Sequence, residues 1–411
     1  MSLRILHTAD WHLGQKLLVH DRQEEHREIL DWMLQTIQEQ KVELLIVAGD
    51  IFDIGSPPNY ARKQYYHFLA QLTQTSCRHV VIIGGNHDSP SMLEAPAEVL
   101  GQLRMHVLGA ARENLEEEIL ELHHPDSGEL EAVVLAVPFL RDRDLRSNFQ
   151  AETHQERVER IRNGILNHYQ ELANICADRK YKVPLIATGH LFAYGAETQE
   201  KQDNIYLGDT QNIKHSDFSE VFDYIALGHI HRLQNVGKDQ RTWYSGSPIP
   251  LSFSETKDEK GVLLVDLDAK QVPEVNVLPC PAKRRLKTIT GDLPEILEKL
   301  KRFATDHAED PFTPWVELVV ELEEWIPNVA EQIKEETKDL SIEVVKIKLS
   351  QSLQKSDAKD LILELPSLEE LTPQDVFARR CAQLQVPNEQ QADLMDQFAT
   401  LQDWMEEKAD Q

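Results

Sequence analysis

The stretch "LRILHTADWHLG" (3–14) decides how this chain is read. Its apolar start reads as a short buried strand. Asp10 and His12 follow at once, one residue apart, and then Gly14. In open α/β sheets, chemistry gathers just beyond the carboxyl ends of the strands. A single Asp-x-His pair proves little, because it also serves as an ordinary turn cap. The pattern has to recur if it carries function.

It recurs four times. "VELLIVAGD" (42–50), "HVVIIGGNHD" (79–88), "VPLIATGH" (183–190) and "DYIALGHIH" (223–231) each run from an apolar strand into glycine and then into polar groups. Between the first strands, residues 22–40 put Ile29, Met33 and Ile37 on one helical stripe. Residues 56–72 open with prolines suited to a first helical turn and then read helical. Strands alternating with helices predict parallel βαβ units. Further strands are expected at 132–138 and 261–267, and a helix over 153–173.

The prolines and basic run of "LPCPAKRRLK" (278–287) mark a boundary. Beyond it the spacing predicts strand 286–290, helix 294–305, strand 315–323, helix 327–338 and strand 342–349, a small α/β unit. A polar stretch then leads to two amphipathic helices, one carrying Phe377, Cys381 and Leu384, the other Leu394, Phe398, Leu401 and Met405. Three parts are expected: 1–280, 281–350 and 351–411.

Composition limits the possibilities. A chain of 411 residues with 41% hydrophobic and 27% charged residues is a globular protein of two or three domains. Its apolar runs, such as "LLIVA" (44–48), fall far short of the roughly 20 residues that span a bilayer. No basic segment followed by an apolar one opens the chain, so a cytoplasmic location and no membrane are expected. Cys77, Cys176, Cys280 and Cys381 are widely scattered and form no CxxC, so neither a zinc knuckle nor a disulfide framework is suggested. The formal charge is −27, from 43 Lys+Arg against 70 Asp+Glu. That excludes a simple phosphate-neutralising binder. If the chain acts on nucleic acid, metal ions, local arginines or a partner supply the positive field.

The groups at the five strand ends are Asp10, His12, Asp50, Asn86, His87, His190, His229 and His231. Carboxylate, amide oxygen and imidazole together suit manganese, iron or zinc better than calcium. With 17 histidines in the chain, about 0.7 His-x-His pairs arise by chance, so His229 and His231 alone carry no argument. The conjunction at five strand ends does. In extended chain, residues two apart put both imidazoles on one face.

The order D-x-H, GD, GNHD, GH, GHxH resembles that of the calcineurin-like metallophosphoesterases. "ILHTADWHLG", "IVAGDIFDIGSPP", "IALGHIHR" and "YSGSPIPLSF" resemble in particular their bacterial SbcD branch. The resemblance implies an α/β calcineurin-like metallophosphoesterase sandwich, two central mixed sheets flanked by helices, with a small α/β capping domain and C-terminal helices. It implies two divalent metal ions, most commonly manganese. Asp10, His12 and His231 would hold one, and Asn86, His190 and His229 the other, with Asp50 bridging. His87 would act on the substrate, at the leaving oxygen. The implied activity is a DNA nuclease attacking ends, hairpins and single strands in repair, recombination and replication. It would work with an SbcC-type ABC ATPase, as a heterotetramer of two nuclease and two ATPase subunits. The nuclease domain would form a homodimer, and the C-terminal helices would dock on the ATPase.

Asp53 departs from the pattern, since many relatives carry a second histidine there. It is expected to orient His87 or a water, or to bond backbone in the turn before "SPP". Arg141 and Arg143, with Arg146 in "FLRDRDLR" (139–146), are candidate phosphate contacts. Asp142 and Asp144 between them offer internal ion pairing instead. Two other readings remain open: a phosphatase or cyclic-nucleotide phosphodiesterase of the same superfamily, and a non-catalytic scaffold that keeps the fold.

Overall fold

A computed structural model describes residues 2–145, 154–194, 213–237, 239–322 and 328–351. Arg146 and the helices expected in the tail lie outside these residues. Two six-stranded mixed sheets dominate. In the first, Leu3–Thr8, Leu44–Ala48, His79–Ile83 and Met105–Leu108 run parallel in that order. On the other side of Leu3–Thr8, Gly261–Leu267 and then Glu274–Pro279 pair antiparallel. In the second sheet, Leu130–Leu135, Leu185–His190, Tyr224–Gly228 and Thr242–Tyr244 are parallel. Ile119–His123 and the short Gln234–Asn235 close its edges antiparallel.

The strands read as continuous apolar runs because both faces are covered. Leu44, Ile46 and Ala48 point to the layer between the sheets, with Val81, Ile83, Ala132, Val134, Ile186 and Ala226. Leu45, Val47, Val80 and Ile82 point the other way, under the helices Gln23–Glu39 and Asn59–Leu72. On the outer face of the second sheet, Val133, Leu135, Ile225 and Leu227 pack beneath the helix His154–Arg179. The result is a four-layer sandwich, as the motifs implied. That helix runs past the expected end at 173, because Cys176 continues the buried stripe of Ile161, Ile165 and Leu172. The spacing predicted that 261–267 is a strand. Its antiparallel place beside Leu3–Thr8 follows from the chain's return, which spacing does not encode.

After residue 285 a three-stranded sheet forms from Leu286–Gly291, Trp315–Leu322 and Glu343–Gln351. The helices Leu293–Asp306 and Val329–Thr337 cover it. Ile289, Ile296, Leu300, Val316, Leu318, Val320 and Ile333 form its own core. Residues 1–350 nonetheless make one compact unit. Arg284 helps to join its parts: it pairs with Glu25 at 2.9 Å and lies over the Trp315 ring at 4.1 Å.

Candidate metal centre

The loops after the strands of both sheets converge at one edge. Asp10 N donates to Gly49 O at 3.0 Å, and His12 N to Asp50 O at 3.0 Å, stitching the first two loops together. His229 N donates to both oxygens of Asp10, at 2.9 and 3.2 Å, which joins the second sheet to the first. This closeness requires glycine. A Cβ on Gly49, at φ +90°, would enter the His190 ring, and one on Gly228 would strike the Ala48 carbonyl. Backbone strain concentrates here too. Eleven described non-glycine residues have positive φ, and four of them are Asp10, His12, Asp50 and His229. Each such residue costs about 1–3 kcal/mol and persists only where its surroundings over-determine it.

Two clusters meet at Asp50. In one, Asp50 Oδ2 lies 3.2 Å from His190 Nε2, while Asn86 Oδ1 lies 3.0 Å from His190 Nε2 and 3.1 Å from His229 Nδ1. The other brings Asp10, His12 and His231 together, their potential ligand atoms within 4.8 Å of one another. His12 Nε2 faces the same Asp50 Oδ2 at 3.5 Å. One carboxylate oxygen thus faces both clusters. Every sequence-predicted ligand reaches this edge.

The donors fit divalent cations. His12 Nε2 is buried and has no hydrogen-bond partner among the described residues. A buried polar atom left without a partner is costly unless something else satisfies it. Oxygen and imidazole donors together suit divalent metal ions. The other ring nitrogens are already committed. His190 Nδ1 is 2.9 Å from Ala48 O, His12 Nδ1 is 3.2 Å from Asp53 Oδ1, and His231 Nδ1 is 3.2 Å from Glu255 Oε1. Such partners fix the tautomer and aim the remaining nitrogen inward.

Electrostatics agree. Burial would raise the Asp50 carboxyl, but the neighbouring His190 outweighs it and holds Asp50 far below the usual carboxylate range. Burial would lower His190, yet Asp50 pushes it up to about 9. His229 is pushed down to about 3 by burial and by His190. Burial holds the Asp10 carboxyl above its ordinary value, against the pull of His190 and His231. Metal ligands must shed their protons to bind, so a cation held here would displace protons from these groups.

His87 is exposed beside the second cluster. Its Nδ1 lies 2.7 Å from the Asp53 carbonyl, and its ring centre is 4.8 Å from that of His12. Asp53 therefore serves twice, its backbone oxygen holding His87 and its carboxylate holding His12. Arg141 reaches the same loops, with Nη2 3.0 Å from Asp88 O and 3.4 Å from Gly85 O. Arg143 is exposed and lies 3.4 Å from Asp144. Asp142 is paired with Arg157 and Arg160, so internal ion pairing is present in this segment.

Two carboxylates escape sequence reading. Asp88 is buried and accepts from Ile51 N, Phe52 N and Gly85 N at 3.1, 3.0 and 2.9 Å, locking two loops together. Its place in "GGNHDS" is the available signal. Glu255 lies just after "YSGSPIPLSF", a stretch that carried part of the resemblance and gave this acid no role.

A family model described as calcineurin-like phosphoesterase matches residues 3–233. Another, described as type 5 capsule protein repressor C-terminal domain, matches residues 282–385. The D subunit of the nuclease SbcCD of Escherichia coli (strain K12) is 35% identical over 403 residues, spanning 97% of this chain and 97% of that protein. Its counterpart in Rhodobacter capsulatus is 36% identical over 325 residues, 75% of this chain and 79% of its own. That of Bacillus subtilis is 32% identical over 273 residues, 64% and 66%. With its strand ends, its convergent ligands and near full-length similarity, the chain belongs to the SbcD family of the calcineurin-like phosphoesterases.

Proposed function

We propose that this chain is a metal-dependent DNA nuclease, a double-strand exonuclease and single-strand or hairpin endonuclease. The observation that carries the reading is the single Asp50 oxygen facing His12 and His190, with exposed His87 beside it. Asp10, His12 and His231 would hold one divalent ion, and Asn86, His190 and His229 the other, with Asp50 shared. Manganese is the favoured metal on the family resemblance, among the manganese, iron and zinc that the mixed donor set suits. Two ions held there would supply positive charge for an in-line phosphoryl displacement.

The chain's own groups do the rest. His87 donates Nδ1–H to the Asp53 carbonyl, which leaves Nε2 for the substrate. Protonated, it donates to the departing 3′ oxygen. Asp53 keeps His12 and His87 in register. Arg141, and further out Arg143, neutralise phosphate oxygens of the approaching strand. With a net charge of −27, the chain gains little affinity for DNA from its overall field. We place that task with an SbcC-type ABC ATPase, two copies of it joining two of this chain, the nuclease domains pairing as a homodimer. The division of labour would follow the chain: nuclease at 1–280, capping domain at 281–350, ATPase docking by 351–411. Repair, recombination and replication in the cytoplasm are its setting. No helix among the described residues is long and apolar enough to cross a membrane.

A cleavage assay on hairpin DNA with manganese, with and without the ATPase, tests this. Cutting that depends on the metal and is extended by the ATPase and ATP is expected. Inert DNA alongside rapid hydrolysis of a small phosphodiester would instead favour another phosphoesterase activity.

A further inference from the structure

We propose that Glu255, held in place by Lys260, is a positioning residue for His231 and so sets the affinity of one of the two metal sites. This rests on the reading of His231 as a ligand. Glu255 lies in the short turn Phe253–Lys257 and is buried. Its Oε1 lies 3.2 Å from His231 Nδ1. Its Oε2 accepts from Lys260 Nζ at 2.5 Å, from Leu251 N at 3.1 Å and from Ser247 Oγ at 3.4 Å. Lys260 Nζ also donates to the His231 carbonyl at 2.8 Å and to Ser247 Oγ at 2.9 Å. The same buried ammonium therefore grips both the acid that holds the imidazole and the backbone of that imidazole's own residue.

Two features separate this from ordinary packing. A buried ion pair is a poor stabiliser, because desolvation offsets most of its attraction. This one sits where its geometry fixes a side chain at the metal edge. A carboxylate on the outer nitrogen also raises the basicity of the inner one and fixes its orientation, an effect a neutral partner delivers less strongly. The turn is anchored in turn by buried Arg22, which donates to Pro250 O at 2.5 Å and to Gln15 Oε1 at 3.1 Å. Gln15 then donates to Leu251 O at 2.8 Å. The brace behind His231 is thus built from side chains far apart in sequence and firmly tied at each step.

The test is calorimetric titration of the metal-free full chain with manganese. The variants are H231A, E255Q and the double change E255Q/K260M. The double change avoids stranding a buried ammonium, which could unfold the single variant. H231A should lose one of two binding events. E255Q/K260M should weaken that same event by about 10–100-fold and leave the other unchanged. If H231A loses an event while the double variant binds both as the wild type does, the positioning role is wrong. It is equally wrong if the double variant weakens both events alike and melts earlier without metal, since that marks general loosening. If H231A keeps both events, the ligand reading itself falls, and this inference with it.

Discussion

The two halves of the metal centre are held by different means. His190 is braced by a backbone carbonyl, Ala48 O, and lies edge-on to Phe139. It ends a strand of the second sheet, in register with Gly228. His12 and His231 are braced instead by carboxylates, Asp53 and Glu255, which come from loops. His190 is thus fixed by the sheet and by backbone, and cannot lose its brace through a side-chain substitution. The second depends on charged side chains that substitution can remove, and it stands beside exposed His87. The fold thus supplies one rigid site and one adjustable site, joined at Asp50. The adjustable one lies next to exposed His87, the group proposed to act on substrate.

The sharpest way to break this comparison is to remove the shared group. Asp50→Ala should empty both halves and reduce cleavage to background, since its Oδ2 faces His190 and His12 alike. Metal analysis of the purified variant checks it. Retention of one full equivalent would mean that the halves are independent and that Asp50 bridges nothing.

Replacing His87 should leave both halves filled. His87→Ala is expected to slow cleavage by about 10²–10⁴-fold, the usual contribution of a positioned acid. Bound metal should match the wild type. Lost metal in this variant would move His87 from the substrate to the ligand set.

A smaller effect should fall on one half only. Asp53→Asn keeps a neutral partner for His12 Nδ1 but removes the charge. Affinity for one metal should drop by about 10–100-fold, with the site around His190 unaffected. Titration with manganese resolves the two events. An equal loss at both would show that the halves do not differ as described.

The same contrast explains what the sequence disclosed. The rigid half is written as local motifs, because a buried strand, a glycine and a ligand are consecutive in "IALGH" and "IATGH". The four-layer sandwich follows from similar runs, since continuous apolar strands need cover on both faces. The braces of the adjustable half are not local. Glu255 is 24 positions from His231, and Asp53 is 41 from His12. Spacing and periodicity carry no record of which distant carboxylate meets which imidazole. Asp53 stands out because it sits inside a motif, but the motif points to His87 as its partner. In the fold its carboxylate holds His12, and its carbonyl meets the His87 Nδ1.

The smallest effect concerns the floor that both halves share, and it should leave the metals alone. His7 lies fully buried in the strand that leads to Asp10. Its Nδ1 is 2.9 Å from the Tyr224 hydroxyl, and its Nε2 is 3.2 Å from Leu227 O, on the strand that leads to His229. Burial pushes this imidazole down to about 3, against an ordinary value of 6.5. The folded state therefore keeps His7 neutral where the unfolded state takes up a proton. Stability is fully present above pH 6.5 and falls as the pH drops toward 3, by about 1.4 kcal/mol per pH unit. Between pH 6.5 and pH 5 that amounts to about 2 kcal/mol. His7→Gln keeps an amide able to bond Tyr224 and Leu227 but cannot titrate. Urea melts of the metal-free protein at pH 7 and pH 5 should show a smaller loss of stability in this variant than in the wild type. Buried His26, also pushed down to about 3, should leave part of the acid sensitivity in place. An unchanged pH dependence in the variant would mean that water reaches His7 and that the layer between the sheets is not dry beneath the site.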